Sequence, residues 1–93
     1  MSYDVRLVPE AVRALDRLDD RTRRSITRAL RRLAEDPRPP GSRRLGGEVL
    51  VDRTRHPAWR IRVGQYRAVY VVLEQRVIVL VVRIAHRREV YRP

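Results

Sequence analysis

Residues 59–91 read WRIRVGQYRAVYVVLEQRVIVLVVRIAHRREVY, and this stretch decides the fold. At residues 59–63 apolar residues alternate with arginines, as in a strand that has one apolar face and one polar face. Residues 64–65, Gly-Gln, suit a two-residue hairpin turn, because a type II′ turn takes glycine at its first central position. Residues 66–73 and 76–84 then provide two further strands, the second almost continuous in Val, Ile and Leu. The stretch therefore predicts a β-meander.

The predicted hairpin gathers arginines on the polar face of the meander. With residues 64–65 in the turn, Arg62 lies opposite Arg67, and Arg60 lies two residues away on the same face. Like charges directly opposite each other weaken a sheet by about 0.2–1 kcal/mol. We therefore expect a domain that keeps this pair to use it to hold an anion.

The first half of the chain predicts one strand and two helices. Residues 3–7 alternate as a short strand, and a first helix follows with Val12, Leu15 and Leu18 as its apolar stripe. Residues 21–35 repeat apolar positions at the spacing of a core-facing helix, with a row of arginines on the other side. That row is expected to be a solvated helix face.

Residues 42–58 are the hardest part of the chain to interpret. A proline-rich segment at 36–41 ends the second helix. Residues 48–52 suggest a short additional strand, whereas residues 54–58 suggest a loop. The order β-α-α-β-β-β predicts a single α+β domain over residues 1–93. In it, two N-terminal helices pack on one face of a small, mainly antiparallel sheet, and the opposite face carries the arginines.

Composition indicates a small basic domain. The chain has no cysteine, which excludes disulfides and thiolate metal sites, and we expect neither a metal nor a cofactor. Its net charge is +11, and residues 53–93 alone hold ten arginines and two acidic residues, a net charge of +8. This concentration favours a polyanion, with nucleic acid ahead of an anionic membrane surface, over a merely solvated basic surface. No signal peptide or bilayer-length apolar run is evident, so we expect the cytoplasm and no membrane partner.

Three segments resemble the signature of the RelE group in the RelE/ParE toxin superfamily. They are RIR at 60–62, GQYRAVY at 64–70 and HRREVY at 86–91, and the similarity extends over nearly the whole chain. The resemblance implies the toxin of a type II toxin–antitoxin system. Such a toxin is a ribosome-dependent endoribonuclease that cuts mRNA in the A site. The resemblance also implies a cognate acidic antitoxin that binds the toxin in a hetero-oligomer and keeps it inactive.

The arginine-rich tail carries part of the implied active site. By resemblance, Arg67 and Arg87 hold the scissile phosphate, with Arg88 as the alternative to Arg87. Tyr91 matches the tyrosine that stacks on a base or serves as general base. This assignment is chemically reasonable, because guanidinium groups grip phosphate oxygens in a bidentate manner and stabilise the charge that develops when a 2′-hydroxyl attacks the phosphate.

Arg60 and Arg62 depart from the family pattern, since relatives carry lysines at the matching positions. A guanidinium does not act as a base in a protein, so these residues are expected only to stabilise charge. The proton acceptor would then be Tyr91 or, as the less favoured alternative, His86. His86 can also be interpreted simply as the end of the last strand. We expect cutting to be slower than in lysine-bearing relatives.

Two other functions are compatible with the same sequence. One is a ParE-like toxin that inhibits DNA gyrase without catalysis, because the two groups share a fold and a fold does not define a function. The other is a basic RNA-binding module without catalysis. The arginine-rich tail that ends in tyrosine favours the nuclease.

Overall fold

The computed structural model describes residues 2–90, so Tyr91 lies outside the described residues. Within this range no helix is both long enough and apolar enough to cross a membrane. The elements, in chain order, are β1 (Asp4–Leu7), α1 (Pro9–Asp16), α2 (Asp20–Arg32), β2 (Arg43–Val51), β3 (Thr54–Val63), β4 (Tyr66–Leu73), a 3₁₀ turn (Glu74–Arg76) and β5 (Ile78–His86).

The strands form one sheet in the order β1-β5-β4-β3-β2. β1 runs parallel to β5, and the other three strand pairs are antiparallel. Both helices pack on one face of this sheet, which confirms the predicted α+β arrangement. The β3–β4 register also agrees with the prediction, since Arg62 lies opposite Arg67. Gly64 has a φ of 58° at the first turn position, which glycine adopts without steric cost.

The prediction of a loop at residues 54–58 was wrong. These residues begin β3, which pairs with β2 in a hairpin, so the chain has one strand more than the predicted order. Asp52 and Arg53 form the turn with φ values of 49° and 69°, the positive φ at both positions that a tight hairpin requires. Pro57 made the segment look irregular. It is accommodated next to a bulge in the β2–β3 pairing, where the ladder is already interrupted.

The main core lies between the helices and the sheet. Of the apolar positions predicted within residues 21–35, Ile26 and Leu30 in α2 and Leu33 directly after it are buried. Of the stripe predicted for the first helix, Leu15 and Leu18 pack against the core, whereas Val12 is 43% exposed and Ala11 is buried in its place. The stripe that contacts the sheet is Ala11, Ala14, Leu15 and Leu18, which are spaced at i, i+3, i+4 and i+7. Four aromatic residues pack in or against this core: Tyr3, Trp59, Tyr66 and Tyr70.

Candidate active site

Four arginines lie on the sheet face that points away from the helices. Arg62 pairs with Arg67 across the β3–β4 hairpin, and Arg60 pairs with Val69. Val69 also pairs with Arg83 on β5. Paired residues share a face of a sheet, as do residues two apart in one strand, so the structure brings these side chains to the same face. We call this surface the arginine face and define it by Arg60, Arg62, Arg67 and Arg83.

A bulge in β5 places Arg83 on this face, which the sequence pattern did not predict. The β4–β5 register shifts between Val69 and Tyr70, where Val82 is the extra residue on β5. Without the shift, Arg83 would lie on the helix side, because an inserted residue reverses the face of every residue beyond it. The signal in the sequence was a single arginine in an otherwise apolar strand.

The β3–β4 turn holds two of the predicted phosphate-binding residues next to each other. The guanidinium of Arg67 donates hydrogen bonds to the backbone oxygens of Gly64, at 3.1 Å, and Tyr66, at 3.0 Å. The backbone N–H of Arg87 donates to the backbone oxygen of Gln65 at 2.7 Å. Arg67 and Arg87 are therefore both fixed to the same two-residue turn, and Arg62 lies directly opposite Arg67.

The C-terminal segment folds back over the arginine face. The backbone N–H groups of Glu89 and Val90 both donate to the oxygen of His86, at 2.8 and 3.1 Å. The Val90 side chain is only 5% exposed and packs with Ala58 and Val69 in a second apolar cluster. The face is therefore partly apolar, contrary to a simple interpretation of it as a row of arginines. Val90 directly precedes the predicted site residue 91 in the sequence.

His86 lies on the opposite side of the sheet from the arginine face. It pairs with Tyr66, which packs against the helix-side core, and the two rings meet edge to face with centroids 5.5 Å apart. The Nδ1 atom of His86 accepts a hydrogen bond from the backbone N–H of Arg88 at 3.2 Å. The structure thus does not bring His86 together with Arg67. Its position agrees with the alternative interpretation, in which it ends the last strand.

Carboxylates lie near one end of the arginine face, where Glu10 and Glu89 line a cavity together with Arg83. In the described part of the chain four ion pairs form: Arg6–Asp4, Arg23–Asp20, Arg38–Glu74 and Arg76–Asp52. None of these pairs includes Arg60, Arg62, Arg83 or Arg87. Arginines that are not paired with a carboxylate create a positive potential that attracts anions. Arg83 donates to the backbone oxygen of Glu89 at 2.9 Å rather than to a carboxylate.

Comparison with known proteins identifies the family. Residues 5–91 match the family model described as the ParE toxin of type II toxin-antitoxin system, parDE. No curated protein matches the sequence significantly.

Among solved structures, the fold resembles RelE in the archaeal RelE–RelB complex from Pyrococcus horikoshii. The TM-score is 0.77 and the identity 22%, over 96% of this chain and 99% of that chain. The isolated E. coli RelE toxin matches with a TM-score of 0.72 and 23% identity, over 91% of this chain and 84% of that chain. The RelBE2 toxin–antitoxin complex from Mycobacterium tuberculosis matches with a TM-score of 0.68 and 23% identity, over 92% of both chains. The family match over nearly the whole length, together with this fold, shows that the chain belongs to the ParE toxin family of type II toxin–antitoxin systems, within the RelE/ParE superfamily.

Proposed function

We propose that this toxin is a ribosome-dependent endoribonuclease that cuts mRNA in the A site without a metal ion and so inhibits translation. The observation that supports this function best is the arrangement at the β3–β4 turn. Arg67 and Arg87 are both hydrogen-bonded to this turn, with Arg62 directly opposite Arg67. A phosphodiester at this turn would meet the Arg67 guanidinium, which is fixed by backbone oxygens, together with the charges of Arg62 and Arg87.

The proposed reaction uses the RNA itself as the nucleophile. The 2′-oxygen forms a bond to the neighbouring phosphorus, and the bond from phosphorus to the 5′-oxygen breaks. The proton of the 2′-hydroxyl passes to a base, and the departing 5′-oxygen takes up a proton. The products are a 2′,3′-cyclic phosphate and a 5′-hydroxyl. Orientation of the phosphate and stabilisation of its additional negative charge are the main tasks left to the protein.

Each site residue has a distinct role in this proposal. Arg67 and Arg87 hold the scissile phosphate, with Arg88 as the alternative to Arg87. Arg60 and Arg62 stabilise charge, since a guanidinium does not give up its proton near neutral pH.

The base is proposed to be Tyr91. The alternative, His86, is less suitable, because it lies on the helix side of the sheet beside Tyr66. A base must come within hydrogen-bond reach of the 2′-hydroxyl to take its proton.

We further propose a cytoplasmic toxin whose partner is an acidic antitoxin. The structures from Pyrococcus horikoshii and Mycobacterium tuberculosis are complexes of a toxin with its antitoxin. A domain with a net charge of +11 and an arginine face is complementary to an acidic segment that folds on binding. Such a segment would cover the face and exclude RNA from it.

Inhibition of DNA gyrase without catalysis is the second candidate function. It is favoured by one observation, namely that the matching family model describes a ParE toxin. The arginines at the β3–β4 turn favour the nuclease, because a non-catalytic inhibitor does not need guanidinium groups gathered to bind a phosphate. An RNA-binding module without catalysis is the remaining alternative.

Mapping of mRNA 5′ ends after induced expression distinguishes these functions. New ends at A-site codons are expected for the unaltered toxin. They should be absent for Arg67→Ala and Tyr91→Phe but present for the matched control Arg55→Gln, which removes an exposed arginine from the far end of β3. Altered supercoiling without new ends would instead indicate gyrase inhibition. RNA binding with neither effect would indicate the module without catalysis.

A further inference from the structure

A cavity of about 400 Å³ lies where β2 stops short of the end of β3. The β2–β3 pairing begins with Arg43 opposite Arg60, so residues 61–63 have no neighbour on β2. The cavity is bounded by this free strand edge, by the end of α2 and by the proline-rich segment before β2. Four arginines from these parts of the fold line it: Arg32, Arg43, Arg60 and Arg62.

The charge around this cavity is unbalanced. Among the described residues, no acidic side chain lines it. Within residues 2–90, the guanidinium groups of Arg32, Arg43 and Arg62 make neither an ion pair nor a hydrogen bond, and that of Arg60 makes one long contact of 3.4 Å to the backbone oxygen of Gly41. Arg43 and Arg60 are also directly opposed like charges in the sheet, an arrangement that weakens strand pairing. An anion in the cavity would relieve this repulsion.

The rest of the wall is apolar. Ala29, Pro39, Pro40 and Ile61 line the cavity beside the arginines. A nucleotide matches this combination, because guanidinium forks suit its phosphate and the apolar surface suits the flat face of its base. A carboxylate side chain would satisfy the arginines but leave the apolar wall uncovered. The volume falls in the range of pockets that hold small ligands.

We propose that the cavity binds one nucleotide of a single-stranded RNA next to the phosphate that is cut. This inference rests on the proposed nuclease function and deepens it. Arg62 connects the two sites, since it lines the cavity and also lies opposite Arg67 at the β3–β4 turn. One RNA strand can therefore contact both. Arg60, which reaches the backbone of Gly41 at the cavity, then acts in substrate binding.

The experiment measures RNA binding without cleavage. A short, fluorescently labelled 2′-O-methyl RNA lacks the attacking hydroxyl, and its affinity is measured by anisotropy at several salt concentrations. The test variant is Arg32→Gln/Arg43→Gln. The matched control is Arg28→Gln/Arg31→Gln, which removes two charges from the outer face of α2. Thermal unfolding checks that both variants are folded.

The cavity variant should bind the RNA about 10- to 100-fold more weakly than the unaltered chain at low salt, since a charge-assisted contact is lost. The slope of log affinity against log salt should also become shallower by about 0.7, the value for one phosphate contact on a single strand. The control variant should keep the original slope.

Three results would overturn the proposal. Equal losses in the two double variants would mean that the cavity supplies only general positive charge. Unchanged binding in the cavity variant would mean that RNA does not contact it. If the cavity variant binds the RNA as before but binds a polyglutamate peptide more weakly, the cavity binds a protein segment and not a nucleotide. Because the probe cannot be cut, none of these results depends on nuclease activity, and the 5′-end mapping tests that function separately.

Discussion

Replacement of Arg62 by glutamine is expected to stabilise the fold while it weakens the proposed nuclease. Arg62 lies directly opposite Arg67, and within the described residues its guanidinium makes no hydrogen bond that the substitution would remove. The change therefore relieves repulsion without a compensating loss. Arg67 keeps its own hydrogen bonds to the backbone of Gly64 and Tyr66.

The size of this effect follows from the strand pairing. Directly opposed like charges cost about 0.2–1 kcal/mol, so we expect the free energy of unfolding to rise by about 0.5 kcal/mol. For a domain of this size that gain raises the melting temperature by about 2–4 °C. The gain should be clear at 0.1 M NaCl and nearly absent at 1 M, where the screening length falls to about 3 Å. Loss of a charged contact to phosphate should slow cutting by about 10- to 100-fold.

Thermal unfolding at the two salt concentrations and mRNA cleavage are measured on the same preparations. The control is Arg55→Gln, because Arg55 lies in the same strand but opposite Leu50, so it removes a charge without separating a like-charged pair. An equal rise in melting temperature for the control would assign the effect to net charge. A fall in melting temperature for Arg62→Gln would refute the argument that repulsion between Arg62 and Arg67 destabilises the hairpin.

Three further changes test other parts of the structure. Val90→Ala removes packing that holds the C-terminal segment on the sheet, so the rate of mRNA cleavage should fall several-fold and should recover in Val90→Ile. In urea unfolding, Val90→Ala should lower the free energy of unfolding by no more than about 1–2 kcal/mol. Tyr70→Phe removes a buried hydrogen bond of 2.6 Å to the oxygen of Pro37 and should cost about 1–2 kcal/mol in the same assay. Burial raises the pKa of Tyr70 from 10.0 to about 12, so the stability of the unaltered protein should fall as the pH rises from about 10 to 12, and less so in Tyr70→Phe. Glu74→Gln tests the dependence of stability on acid pH. A hydrogen bond from Arg38 lowers the pKa of Glu74 below 4.5, so the stability that this carboxylate adds should be lost as the pH falls through that lowered pKa. Unfolding followed by circular dichroism should show a weaker pH dependence of stability in the variant.

The sequence alone determined the β-meander and the register of its β3–β4 hairpin. Alternation at residues 59–63 and glycine at position 64 predict both the strands and the turn, and a two-residue turn fixes the register. The pairing of Arg62 with Arg67 follows from that register and is found in the structure. The helices were also predictable, because a period of 3.6 residues is a local property. In the first helix only Val12 was wrongly placed on the buried side, where Ala11 lies instead.

Only the tertiary structure decided the rest of the candidate site. A bulge at Val82 brings Arg83 to the arginine face, and no local pattern marks where the extra residue falls. Val90 is buried by Ala58 and Val69, and the cavity joins Arg32 to the free edge of β3, so both depend on residues far apart in sequence. Periodicity describes how a segment presents its own faces to its surroundings. It does not state which distant segment will cover those faces, because that choice is made by the packing of the whole chain.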